Sequence, residues 1–176
     1  MALVVFLRGV NVGGHRAFRP TTLAEQLRHL DVVNVGAAGT FVIRQAVSRA
    51  QLRVEVARRL PFETEIMICR GREIIRLLSH DFFAAHQMRP DFVRFVSVMS
   101  RLPRSKSRLP TQLPPEGKWL VKVLARDERF IVGVYRRQMK AIACLGALDR
   151  LFGVPVTTRS WSTITAIGRL LTEGAT

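Results

Sequence analysis

Negative charge is what this chain has least of. Thirteen Asp and Glu stand against twenty-eight Lys and Arg in 176 residues, a formal net charge of +15. Cysteine is scarce: only Cys69 and Cys144, each inside an apolar stretch, which excludes a disulfide framework and reads as two buried free thiols of a reducing cytosol. There is one tyrosine, and aromatics make up 7% of the chain, too few for a base-stacking platform of the RNA-recognition type. No run of about 18 apolar residues occurs, so no membrane-spanning helix is expected. The opening "MALVVFLRGVNVGG" lacks a basic region and a small-residue cleavage site, and is read as a first strand rather than a signal peptide. Potential metal ligands are few and scattered. His80 and His86 with Asp81 between them match no ligand spacing, so neither metal nor cofactor is expected.

What is present is 48% hydrophobic, ample for a core. Leu3–Leu7 is a short continuous apolar run suited to a buried central strand. "TTLAEQLRHL" places Leu23, Leu27 and Leu30 at helical spacing, with Thr22 and Glu25 spaced as a capping box and Pro20 at the entrance. "DVVNV" and "TFVIR", separated by "GAAG", read as a hairpin. Ser48 and Gln51 open a second helix whose stripe is Leu52, Val56 and Leu60, stopped by Pro61, and "TEIMICR" follows as a strand. The order strand, helix, strand, strand, helix, strand is that of a ferredoxin-like subdomain over residues 1–70, with both helices on one face of a four-stranded antiparallel sheet.

Residues 71–176 are expected to form a second, related α/β subdomain, making the class α+β. "GREIIRLLSHD" reads as a short helix and "FVRFVSVMS" as a strand. Residues 101–117, with four prolines and four basic residues, read as a solvated loop. "KWLVKVLARDERFIVGVYRR" reads as two strands turning near Asp127 and Glu128. A single helix striped by Met139, Ile142, Leu145, Leu148 and Phe152 should then run to Gly153. The final helix is expected to be capped by Thr158 or Ser160, with Trp161, Ile164, Ile167 and Leu171 on one face.

The stretch "FLRGVNVGG" raises the question of a phosphate site. Gly9 and Gly14 have P-loop spacing, yet His15 and Arg16 follow where that motif needs Lys and a hydroxyl, which argues against a nucleoside triphosphatase. The dinucleotide fingerprint fails as well, since no glycine lies two after Gly9. What remains is a loop whose Gly13 and Gly14 permit positive φ and can aim amides at an anion, amid Arg8, His15, Arg16 and Arg19. The competing reading is a plain turn in which Asn11 bonds its own backbone.

"FLRGVNVGG" together with "TTRSWSTI" near the end resembles the bacterial domain of unknown function 1697 family. Its members open with L-R-G-[IV]-N-V-G-G and close with T-T-R-N-W-N-T before the last helix. Leu7, Arg8, Gly9, Asn11, Val12, Gly13, Gly14, Thr157, Thr158, Arg159, Trp161 and Thr163 match. Ala37, Ala38, Gly39 and Thr40 stand where the family has a Q-S-G-N-like turn, His15 stands where a basic residue often follows the double glycine, and a serine–lysine pair before the penultimate helix is not evident near Met139 and Lys140. The resemblance implies two ferredoxin-like subdomains and no chemistry.

Charge favours a partner bearing many phosphates, nucleic acid above all. A GC-rich genome accounts for 24 arginines against four lysines but not for the shortage of acids. The expected reading is a cytoplasmic binding protein in which Arg101, Arg104, Lys106 and Arg108 contact phosphates. The alternative is an enzyme on a small phosphorylated or anionic substrate. Its ligand would sit in one cleft formed by Arg8, Gly9, Asn11, Gly13, Gly14, Thr158, Arg159 and Trp161, with Arg8 and Arg159 converging and Asn11 and Thr158 giving neutral hydrogen bonds. Trp161 is also read as a core anchor. Catalytic residues and oligomeric state are not legible.

Overall fold

The computed structural model describes residues 1–11, 14, 16–104 and 106–174. They form mixed helices and two antiparallel sheets, an α+β protein, and the chain divides into two compact units. The first comprises Met1–Leu78 together with the chain from Thr163; the second is Ser79–Ser162. The expected division at residue 70 thus falls at Leu78, and the last helix groups from Thr163 onward with the first unit.

In the first unit, β1 (Leu3–Leu7), α1 (Pro20–Gln26), β2 (Val32–Asn34), β3 (Thr40–Ile43), α2 (Arg49–Arg59) and β4 (Ile66–Arg70) follow in the anticipated order. The sheet runs β2-β3-β1-β4, all antiparallel, which is the ferredoxin-like arrangement. A central strand covered on both faces must be apolar throughout, and all five residues of β1 are buried. Leu3, Val5 and Leu7 of β1 form one core with Leu23 and Leu27 from the first helical segment and Leu52 and Val56 from α2. Truncating a side chain such as Leu52 to Ala would cost about 2–5 kcal/mol.

Ser48 caps α2 as expected, its Oγ accepting from the Gln51 amide at 3.1 Å. The box expected at Thr22 and Glu25 does not form. Proline, with its φ preset and no N–H to satisfy, starts α1 at Pro20, so Thr22 lies inside the helix and Arg19 holds the cap position. Helix α3 (Gly71–Leu78) buries Ile74 and Leu77. It packs closely on the last helix, α6 (Trp161–Glu173): a Cβ on Gly71 would lie 2.9 Å from Leu171, and one on Gly168 2.4 Å from Leu78.

The second unit holds β5 (Phe92–Met99), β6 (Thr111–Leu113), β7 (Val121–Asp127), β8 (Phe130–Arg136) and β9 (Val156–Ser160), ordered β6-β7-β8-β5-β9. Without β6 the order β7-β8-β5-β9 repeats that of the first unit, strand for strand. In the place of the first crossover helix lies the 101–117 segment, and part of it is not a loop as expected: Thr111–Leu113 adds an edge strand to β7. Gly133 of β8 is fixed by close approach, since a Cβ there would stand 2.1 Å from the Lys122 carbonyl and 2.8 Å from the Phe95 ring.

The single helix expected over 139–152 is two, α4 (Met139–Leu145) and α5 (Leu148–Phe152). Near Gly146 the chain tightens, with the Ala147 amide donating to the Cys144 carbonyl at 3.0 Å, an i→i+3 bond that rotates the following helix out of phase. The apolar stripe is broken accordingly: Leu148 and Phe152 are buried, while Met139 and Ile142 are 86% and 50% exposed. Gly153, at φ 68°, ends α5 as anticipated. Of the two residues expected to cap the last helix, Thr158 lies inside β9, while Ser160 ends β9 and directly precedes α6 at Trp161.

Candidate functional site

The glycine loop leaves β1 at Arg8. Gly9 (φ 64°), Asn11 (φ 55°), Gly14 (φ 76°) and Arg16 (φ 49°) all adopt left-handed backbone. Gly13 and His15, like Val12, lie outside the described residues. Asn11 holds the loop shut with its side chain, Nδ2 donating to the Ala37 carbonyl at 2.8 Å and Oδ1 accepting from the Phe18 amide at 2.9 Å. Its own amide donates to the Arg16 carbonyl, and the Arg8 amide to the Glu65 carbonyl. Thr64 Oγ1 donates to the Arg8 carbonyl and accepts from Arg16 Nη1, which lies at 3.2 Å. Two amides and one amide side chain that could have faced an anion are therefore engaged in fixing the turn. The glycine turn of the β2–β3 hairpin supports the same knot: Gly39 (φ 77°) accepts from the Leu7 amide, and a Cβ there would lie 2.7 Å from Val10.

The second motif, Thr157–Trp161, belongs to the other unit. Successive residues of a strand face opposite ways, so the Thr158 and Arg159 side chains, expected to serve one ligand together, lie on opposite faces of β9. Thr158 Oγ1 pairs with Ser97 Oγ at 2.6 Å across β5 and β9. Arg159 is buried, its Nη1 donating to Thr157 Oγ1 at 2.8 Å and to the Thr158 carbonyl at 2.9 Å. Burial pushes its pKa down to about 10, still far enough above neutrality to keep the charge. Trp161, half-buried, meets Phe83 edge-on with ring centres 5.1 Å apart.

The basic segment is differently placed. Arg101, Arg104, Lys106 and Arg108 are all exposed, and among the described residues none of the four makes a hydrogen bond or an ion pair.

Immediately beyond it lies a feature that the sequence did not disclose. Phe82, Ala85, His86, Pro110, Thr111, Gln112, Lys122 and Leu124 line a cleft of about 470 Å³ in the second unit. Gln112 and Lys122 are direct cross-strand partners, so their side chains share a face. Leu124, two residues beyond Lys122 in β7, lines the cleft with them, next to a register shift between Val123 and Ala125. The Lys122 ammonium lies 4.5 Å from the centre of the Trp119 ring and has no carboxylate partner among the described residues. Arg136 also stacks on Trp119, at 4.2 Å, and on Phe92, at 5.3 Å, but its Nη1 is 3.6 Å from an Asp91 oxygen. Burial, and after it the Lys122 charge, hold the His86 pKa below its ordinary 6.5, while Nε2 is shielded from solvent and has no hydrogen-bond partner among the described residues. Among those residues no group of three His, Cys, Asp or Glu could hold a metal ion, and no helix is long and apolar enough to cross a membrane.

A family model described as "Protein of unknown function (DUF1697)" matches residues 1–112. No curated protein matches the chain. Among solved structures the chain is similar to a conserved bacterial protein from Streptococcus pneumoniae, at 16% identity and a TM-score of 0.60, over 97% of this chain and 98% of that one. At that identity the likeness shows the fold alone.

Proposed function

The chain belongs to this DUF1697 family, and from that premise, which carries no chemistry, we propose that it is a cytoplasmic protein binding phosphate-bearing polyanions such as nucleic acid, with the 101–108 arm as principal contact. One observation carries the reading: four exposed cations within eight residues have neither acidic neighbours in sequence nor partners among the described residues. Elsewhere in the second unit Arg136 and Arg159 are engaged internally, while Arg126, Arg137 and Arg150 are exposed at scattered positions rather than as a cluster. Exposed, unpaired arginine and lysine gain most from displacing the counterions condensed on a phosphate backbone. The scarcity of aromatics points to recognition of backbone rather than bases.

The test is the salt dependence of binding to a single-stranded and a duplex oligonucleotide. Changing Arg101, Arg104, Lys106 and Arg108 together to Ser should reduce the log–log slope by about 3 to 4. The same change at Arg49, Arg58, Arg72 and Arg169, exposed residues of the first unit, should reduce it far less. Equal losses from the two sets would mean that only bulk charge is at work.

A further inference from the structure

We infer that the cleft between residues 82–86 and strands β6 and β7 is a binding site for a compact organic monoanion, a carboxylate head joined to a flat or short apolar body. The inference goes beyond the arm and uses none of its residues.

The composition of the walls points to this class. Phe82, Ala85, Pro110 and Leu124 give an apolar lining, on which a phenyl-sized body loses its water shell. A volume of about 470 Å³ holds such a molecule with room to spare but not a folded chain segment. The other half of the lining is polar: His86, Thr111, Gln112 and Lys122. Lys122 is the one Lys, Arg, Asp or Glu among the lining residues and has no carboxylate partner among the described residues, whereas Arg136, stacked on the same Trp119, already faces Asp91. One unbalanced ammonium beside an apolar wall matches one negative charge, and a second would stay uncompensated. Lys122 is also positioned before any ligand arrives, its ammonium over the Trp119 ring and its strand paired to β6 and β8, so little side-chain freedom is lost on binding. Gln112, directly across the strand pair, has its Nε2 within 3.2–3.3 Å of the carbonyls of Pro114, Pro115 and Gly117, which fixes the turn that leads back into β7.

The His86 ring supplies an internal reporter. Its pKa is held down in part by the Lys122 charge, so an anion placed against Lys122 raises it.

The experiment uses the whole chain and two probes with the same head, acetate and benzoate, followed by the His86 ring resonances in NMR titrations at constant ionic strength. Benzoate should bind at least tenfold more tightly than acetate and raise the His86 pKa. Lys122→Gln should weaken benzoate at least tenfold. Ala85→Trp, which fills the cleft from an exposed position and removes no charge, should abolish binding whether or not Lys122→Gln folds well. The fourfold Ser variant of the arm should bind benzoate as wild type does, so that failure of the cleft and failure of the arm give different results. Equal affinity for the two acids, no binding of either, or binding that survives Ala85→Trp would each overturn the assignment.

Discussion

The hydroxyls of Ser97 and Thr158 face each other at 2.6 Å between β5 and β9, one fully buried and the other partly so. Either can be the donor, and each satisfies the other where water has little access. The arrangement makes Thr158 a structural partner of the sheet.

A double-mutant cycle on this pair has a definite outcome. Ser97→Ala alone, or Thr158→Val alone, leaves one hydroxyl unsatisfied and should destabilise the protein by about 1–3 kcal/mol. The double change removes both polar groups and should cost less than the sum of the single changes. Urea unfolding of the four proteins gives the coupling, and additive losses would show that the two hydroxyls do not act as a pair.

Asn11 offers a second case, because its conformation and its side chain can be separated. Asn11→Gly keeps the left-handed backbone easy but removes the bonds to the Ala37 carbonyl and the Phe18 amide. It should lower stability by about 1–2 kcal/mol, and Asn11→Ala, which adds backbone strain, should lower it further. Equal stability of wild type and Asn11→Gly in denaturant titrations would show that the knot of hydrogen bonds contributes nothing.

His86 predicts a pH dependence whose sign follows from its lowered pKa. As pH falls through 6.5 the imidazole of the unfolded chain takes its proton first, so the unfolded state binds more protons than the folded one. Stability should therefore decline between 6.5 and the lower folded-state pKa and be level below it. His86→Gln should remove that part of the slope, as read from urea unfolding at pH 7.5 and at successive steps down to pH 5. Lys122→Gln should raise the His86 pKa without bringing it back to 6.5, because burial is the larger cause.

How much of this was legible follows from what each residue depends on. The first unit could be read because its signals are local: a five-residue apolar strand, a serine three residues before the amide it caps, the left-handed Gly36 and Gly39 in the turn of the β2–β3 hairpin. The stripe from Met139 to Phe152 misled because periodicity assumes one continuous helix, and one tightened turn at Gly146 puts Met139 in solvent and leaves Leu148 in the core. Thr158 and Arg159 were read as entering a helix, whereas long-range pairing with β5 makes them strand residues. The cleft was illegible for a different reason. Phe82, His86, Pro110, Gln112 and Lys122 come from three separate segments, and only the pairing of β6 with β7 brings Gln112 opposite Lys122. The nearest signal in the sequence was "KWLVK", a tryptophan between two lysines.

The shared strand order of the two units gives their first crossovers unequal duties. In the first unit the crossover is a helix whose leucines are a wall of the core, so its length and phase are fixed by what lies beneath. In the second, the stretch from Arg101 to Arg108 buries none of its described residues and is followed by a three-residue strand that needs only its own edge partner. Insertions, deletions and changes of charge in that stretch should therefore leave the register of β5, β7, β8 and β9 untouched, its one hydrogen bond to the rest of the unit among the described residues being that of Ser107 to the Leu151 carbonyl. It is the natural grafting point of the fold, where diversity among related chains can accumulate at little cost to folding.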